Sequence, residues 1–551
     1  MATELESRVR DFDLQGFHQI IAISEDNINA SLRDRFDDEV QPELLTFQHD
    51  IPHFGLAKAT LDPPTVSICT ESDAETTVSR FFLNFKQGAY QYRTQVEGGE
   101  MESVPLDGWK VAFDVRFDEK ELAEPPAGNP ALESKWKSLE PGKYSLNQIV
   151  IFLGSAPLSS LDWERSNLPN LKKDDPMFPM KEMFFKMYMG KYLAELKKRP
   201  ELLTLGYAIK RETTDDDTLN PTYPPTSVKY QNYRYQRCTD TSDIIDGQPV
   251  GPEARNAFLF LEMTGGAGFP REKLERKGNI IVGNMPGGLV LGRQLFMDKY
   301  LIGTAFKDYH SNMIDTANTL FDWLRDKWMT TDKKGWWLTD NNRDETVNKL
   351  KWTLAGDGKS ASVDWKDKMR ESTNSFWYGR YGQELETTYK ATISPKSRTN
   401  EIVVATDVTL DYHNWNQPPR ASTSDHYIEA EVSLKLSFRL VEVQNNGLLH
   451  VEVTENIEKC RCRDSDDKST PGWLEWALGP SNTKLADKLS EELRNVVSTR
   501  HIGAVLETRI NNQQHFVLPG SKQFIYKSPM FSDACDLLVR LEYQQKDLVK
   551  E

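Results

Sequence analysis

The sequence predicts an α+β fold: antiparallel sheet wrapped round long helices. Three observations carry this reading. Long segments alternate apolar and polar residues, as in "SRFFLNFKQGAYQYR" (79 to 93) and "YIEAEVSLKLSFRL" (427 to 440), the period of half-buried antiparallel strands. Helical patterns follow runs of strands instead of alternating with them, which disfavours a doubly wound parallel sheet. Breaks rich in proline and glycine, at 61 to 65, 124 to 130, 219 to 227, 416 to 424 and 463 to 472, are short and read as loops between patterned segments.

The elements follow in order. In "GFHQIIAISEDNINASLRDRF" (16 to 36), Phe17, Ile21 and Ile23 alternate as a strand. Ser24 is a candidate N-cap, and Ile28, Leu32 and Phe36 fall on one face of the helix that follows. Strands are expected from 66 to 117, among them "GWKVAFDVRF", then a helix over roughly 180 to 198. From 202 to 283 "LTLGYAIK", "SVKYQNYRYQR", "NAFLFLEMT" and "NIIVG" read as strands. The longest helical pattern covers 292 to 329. Strands return from 335 to 455, with a hairpin whose turn falls at Asn445-Asn446-Gly447, an Asn-Gly pair suited to positive φ. Helices are expected near 484 to 499 and 531 to 541.

The chain of 551 residues can bury a large core, and its 10% aromatic content argues for an ordered globular protein. Its formal charge of −15 argues against general nucleic-acid binding, which needs a basic face. Lys172-Lys173 and Lys197-Lys198-Arg199 read as solvated patches, although peripheral membrane contact through them stays open. "MATELESRVRDFD" lacks a basic start followed by an apolar run, so no secretory signal and a cytoplasmic location are expected. No apolar run approaches a transmembrane span; "GNIIVGNMPGGLVLG" is interrupted by Asn284, Pro286 and glycines. Five scattered cysteines fit reduced thiols, and Cys460-Arg461-Cys462 supplies only two metal ligands.

Catalytic signatures are sparse. "TGGAGFP" (264 to 270) lacks the G-x-G-x-x-G spacing and a P-loop lysine, and reads as a tight turn. His49 and His53 are four apart, but Pro52 breaks the helix that would align them. His413 and His426 have carboxylate neighbours in sequence, a common arrangement in strands and turns. No G-x-S-x-G or H-E-x-x-H motif occurs, so no catalytic residue, metal ligand or cofactor is assigned. Five of the 14 methionines, Met177, Met180, Met183, Met187 and Met189, fall within "MFPMKEMFFKMYM". Methionine lines adaptable apolar surfaces, and apolar lining alone gives roughly 0.8 kcal/mol per buried CH₂ of a ligand; an ordinary core helix is the competing reading. The candidate lining residues are Ile21, Ile28, Leu32, Met183, Phe184, Met187, Phe296 and Tyr300.

The order of several stretches resembles a known family. These are "HQIIAISEDNINASL", "FFLNFKQGAYQY", "LDGWKVAFDV", "YSLNQIVIFLGSA", "LGYAIK" with "PTYPPTSVKYQ", "NAFLFLEMTGGAGFP" and "MPGGLVLGRQLFMDKYL". Together they resemble the P47-like, OrfX-type proteins of clostridial neurotoxin gene clusters, whose folds are of the tubular lipid-binding (TULIP) type. The resemblance implies long curved sheets round a long helix, with an apolar groove and lipid or phosphoinositide binding in some members; it supplies no catalytic residues. An echo between "GFHQIIAISEDN" and "GWKVAFDVRFDE" fits a two-lobed body. The expected organisation is an N-terminal lobe part over 1–200, a central strand-rich lobe with the long helix over 201–460, and a C-terminal segment over 461–551 packing back on the body.

The leading functional expectation is non-enzymatic binding of a lipid or other apolar small molecule in an elongated groove. The alternatives are a pocket enzyme of isomerase or cyclase type acting on an apolar metabolite, and a toxin-cluster accessory or scaffold protein with protein partners.

Overall fold

The computed structural model describes residues 2–36, 42–68, 78–94, 99–126, 129–139, 141–152, 163–212, 223–306 (without 243, 246–247 and 250), 340–343, 351–375, 379–417, 424–442, 449–466, 517–519, 524–543 and the single positions 491, 504 and 507. Three curled antiparallel sheets dominate it.

The six-stranded sheet is built round the opening strand, Gln19–Ser24, which pairs antiparallel with Ala257–Thr264 on one side and Gly287–Leu291 on the other. Pro225–Tyr233 closes one edge, and Phe524–Phe531 with Leu537–Tyr543 forms the other. Every residue of the opening strand is buried. Ile21 and Ile23 face the main apolar cluster, whereas Ile20 and Ala22 face a second one with Val9, Phe12 and Leu538. The alternation expected of Phe17, Ile21 and Ile23 therefore does not mark one core face: Phe17 precedes the strand and joins the second cluster, and burial on both faces makes Ile20 to Ile23 a continuous apolar run.

Ser24 ends the strand and starts the helix Glu25–Arg35, its hydroxyl accepting the Asn27 N–H at 3.2 Å. Ile28, Leu32 and Phe36 are buried beneath that helix, as their spacing predicts. It lies against the strand Gly55–Ser67 of the second sheet, where Asn29 exchanges two hydrogen bonds with the Val66 backbone, at 2.9 and 2.7 Å. In that eight-stranded sheet Thr46–Ile51, Gly55–Ser67, Val78–Arg93, Lys110–Leu122, Tyr144–Phe152 and Thr204–Arg211 follow in chain order. "LDPPT", expected to be a loop, lies within Gly55–Ser67. The register shifts between Asp62 and Thr65, so the two prolines, which cannot donate to a ladder, sit in a bulge.

The methionine-rich helix, Phe178–Lys197, packs on this sheet through Phe184, Phe185, Tyr188, Met189, Tyr192 and Leu196. Phe185 meets Trp109 with ring centroids 5.1 Å apart, and Phe184 stacks on Tyr92 at 5.5 Å. Tyrosine hydroxyls tie the layers: Tyr188 donates to the Gln91 carbonyl at 3.0 Å and Tyr192 to the Leu44 carbonyl at 2.9 Å.

The third sheet contains a five-stranded meander of long strands, Ala361–Ser375, Gly379–Pro395, Glu401–Gln417, Ser424–Glu442 and Leu449–Asp466. Seventeen residues, the length of Glu401–Gln417, reach about 55 Å at ~3.3 Å per residue. Alternate residues such as Val404, Val408 and Tyr412 are buried, while Asp407 and Asp411 face out. The expected hairpin is present as the pairing of the last two strands; its turn residues lie outside the described residues. The sheet's buried face joins the same apolar cluster as the opening helix, and Phe306 meets Phe438 at 5.6 Å.

Four further expectations are corrected or cut short. The stretch 531 to 541 is not a helix: Leu537–Tyr543 is a strand, paired with Gly287–Leu291 and with Phe524–Phe531. Leu537, Leu538 and Leu541 also fit helical spacing, but Leu537, Val539 and Leu541 bury on one face and Leu538 on the other, so the open edge of the central sheet decides. "NIIVG" is a buried loop, because Gly278 and Gly283 take positive φ and Asn279 spends its side chain on Gln236 backbone groups at 2.8 Å; the next strand starts at Gly287. The helix expected over 292–329 is described as a π-helix over Leu295–Ala305; its continuation, and the helix expected over 484–499, lie outside the described residues apart from the isolated position 491. Among the described residues no helix is long and apolar enough to cross a membrane.

Candidate ligand-binding site

The opening helix puts Ile28, Ser31, Leu32 and Arg35 at i, i+3, i+4 and i+7, on one face. That face meets the end of the opening strand, Ile23, and the first residues of another strand, Thr204 and Leu205. Between them lies a narrow crevice with no free room for a water molecule. Its apolar walls, Ile23, Ile28, Leu32 and Leu205, belong to the main cluster, which continues through Phe258 and Phe260 to Phe296 and the inward residues of the meander.

The polar side of the crevice is held by bonds made within the protein. Arg35 donates to the Thr204 carbonyl and, at 3.4 Å, to that of Leu202. The Thr204 hydroxyl accepts from Gln148 at 2.7 Å and donates to the Pro200 carbonyl at 3.1 Å. The site is thus a closed apolar seam with one cationic, hydrogen-bonded side, which an apolar tail ending in a polar group enters only by parting the opening helix from Thr204 and Leu205.

Of the eight predicted lining residues, Ile28 and Leu32 line the crevice. Ile21, Phe184 and Phe296 are buried in the same cluster at other places: Phe184 lies under the methionine-rich helix against Tyr92 and Phe54, and Phe296 packs on Phe531 at 5.5 Å. Met183 and Met187 are 49% and 41% exposed, so they face away from the apolar interior. The backbone of Tyr300 runs in the π-helix; its side chain lies outside the described residues. Ser31 and Arg35 were missed although the helical period puts them beside Ile28. Thr204 and Leu205 carry no local signal, because they meet the helix across some 170 residues of chain.

The histidines lie elsewhere. His49 stands on the strand Thr46–Ile51 against Phe47, and His53 in the turn after it, with φ 69°. His413 lies 3.2 Å from Asp425 and stacks on Tyr427 at 4.2 Å, on the outward side of the meander; the His426 side chain lies outside the described residues. "TGGAGFP" forms the expected turn, with Gly265 and Gly266 at positive φ.

Three carboxyls on or beside strands of the six-stranded sheet are buried. Full burial pushes Glu262, bonded to Gln19, up to about 8. Burial pushes Glu25 up to about 7, against hydrogen bonds from the Ile68 N–H and Asn256. It pushes Asp536 up to about 6, against the Arg293 N–H it accepts.

No protein-family model matches the chain, and no curated protein matches it. Solved structures similar to it include P47 from Clostridium botulinum A2, at 10% identity and TM-score 0.46 over 98% of this chain and 100% of that one. P47 of Clostridium botulinum E1 gives 13% identity and TM-score 0.44 over 96% and 99%. A lipopolysaccharide binding protein gives 9% and 0.28 over 96% and 99%. The chain is similar to P47 proteins over nearly its whole length, and these are the proteins whose motif order its sequence resembles.

Proposed function

We propose that this protein binds a lipid or another ligand with a long apolar portion, without catalysing a reaction on it. The observation that carries this reading is the crevice beneath the opening helix, whose apolar walls are continuous with the cluster linking the three sheets. An apolar tail that parts the walls beside Leu32 replaces contacts that the protein already makes, and each of its CH₂ groups taken from water contributes roughly 0.8 kcal/mol. The polar side at Ser31, Arg35 and Thr204 faces the tail's polar end.

The test is displacement of a fluorescent fatty acid from the full chain, beside native mass spectrometry of the protein as purified. The expected result is saturable binding that weakens at least tenfold when Leu32→Trp wedges into the seam and blocks entry, with an unchanged circular dichroism spectrum. Ligand-free protein that takes up no probe, or equal binding by wild type and Leu32→Trp, overturns the reading.

A further inference from the structure

A second site lies on the far side of the opening strand, away from the crevice. The first turns of the chain pass into a π-helix, Ser7–Asp11, closed by the Phe12 N–H on the Ser7 carbonyl at 3.0 Å. Such turns are rare and concentrate at functional positions. This one is clamped from two directions. The Asn279 N–H reaches the Ser7 carbonyl at 3.3 Å, and the Asp533 N–H reaches the Val9 carbonyl at 3.0 Å. Gly278, at φ +70°, makes the approach feasible: a Cβ there would stand 2.2 Å from the Ser7 oxygen.

The clamped turn holds Arg8 in the interior. The side chain is 7% exposed, and its Nε and Nη2 are buried with no hydrogen-bond acceptor. The charge acting on it is a like one, that of Arg540 on the strand Leu537–Tyr543. Arg540 itself donates to the Asn284 side-chain oxygen at 3.1 Å and lies 2.8 Å from Glu542. Burial and the second guanidinium pull Arg8 down to about 10. A buried guanidinium beside another cation, with its planar donor fork unanswered, is costly unless an anion completes it.

We infer that Arg8 and Arg540 form a binding site for a phosphate-type oxyanion, which the Arg8 fork takes through Nε and Nη2 with Arg540 beside it. The chemistry fits a free inorganic phosphate or the phosphate of a lipid headgroup. The depth of Arg8 beneath the π-helix favours the small free ion. The site is independent of the apolar crevice, because it lies on the opposite face of the central sheet, among the Val9 and Leu538 cluster.

The test is calorimetric titration and thermal melting of the full chain with sodium phosphate, against sodium chloride of equal ionic strength. Binding of phosphate and a rise in Tm of roughly 2–4 °C near saturation are expected. Arg8→Met is expected to melt higher than wild type without phosphate, since it removes the unanswered charge, and to lose the phosphate response. Arg540→Gln keeps Arg8 and is expected to weaken phosphate binding at least tenfold, which covers the case in which Arg8→Met misfolds. Sedimentation with phosphatidylcholine vesicles, with and without phosphatidic acid, separates the sources: Arg8-dependent retention only with phosphatidic acid assigns the headgroup, and calorimetric binding without retention assigns the free ion. Absence of binding in both arms, or an equal phosphate response in wild type, Arg8→Met and Arg540→Gln, overturns the inference.

Discussion

Asn29 does the work of a strand partner with one side chain. Beyond Thr60 the strand Gly55–Ser67 has left its neighbour Thr46–Ile51, and the Asn29 amide takes both polar groups of Val66, blunting what would be an open edge. Asn29→Ala is expected to cost about 1–2 kcal/mol, read as a lower urea midpoint; an unchanged midpoint shows that water replaces the amide. The buried carboxyls set a second expectation at this scale. Glu262, at about 8, and Glu25, at about 7, are raised above the ordinary 4.5, and Asp536, at about 6, above 3.8. The folded state therefore holds protons that the unfolded chain releases. This stability is fully present below the unfolded values and is lost as pH rises through about 6 to 8. Asp533 has the opposite sign: Arg398 holds it at about 2, so its contribution disappears as pH falls from 3.8 toward 2. Tm is thus expected to fall between pH 5 and 9, and Glu262→Gln to flatten that slope; a flat wild-type profile refutes it.

At the scale of elements, the methionine-rich helix separates packing from surface. Phe185→Ala is expected to cost about 3–5 kcal/mol, because it empties a space between Trp109 and Tyr90. Met183→Gln with Met187→Gln is expected to change stability by less than about 1 kcal/mol and to leave fatty-acid binding intact; a large loss in either would return these residues to the interior. The helix itself was legible in the sequence through its spacing, and so was the opening strand-to-helix turn through Ser24 and the triplet Ile28, Leu32, Phe36. The alternating strands were legible where one face meets water. Two features were hidden for physical reasons. Leu537 to Tyr543 is buried on both faces, so its pattern carries no period until the sheet edge beside it is known. The crevice depends on Thr204 and Leu205 meeting Leu32, a juxtaposition that tertiary structure alone creates.

For the whole molecule, the central sheet draws strands from near both ends of the described chain, 19–24 and 537–543, and from 225–291 between them. The hairpin of Phe524–Phe531 and Leu537–Tyr543 covers one edge of that sheet, so deleting residues from 524 onward uncovers Gly287–Leu291. Such a truncation is expected to aggregate, as light scattering on refolding would show; a monomeric, cooperatively melting product would show that the hairpin is dispensable. The placement of the opening strand also bears on how the chain is made. Its two neighbours begin at Ala257 and Gly287, so at roughly 5–20 residues per second the ribosome needs on the order of tens of seconds to deliver them. Throughout that interval "QIIAIS" has left the exit tunnel without a mate, the kind of nascent segment that trigger-factor-like holdases shield, and synthesis without such factors is expected to yield less soluble protein.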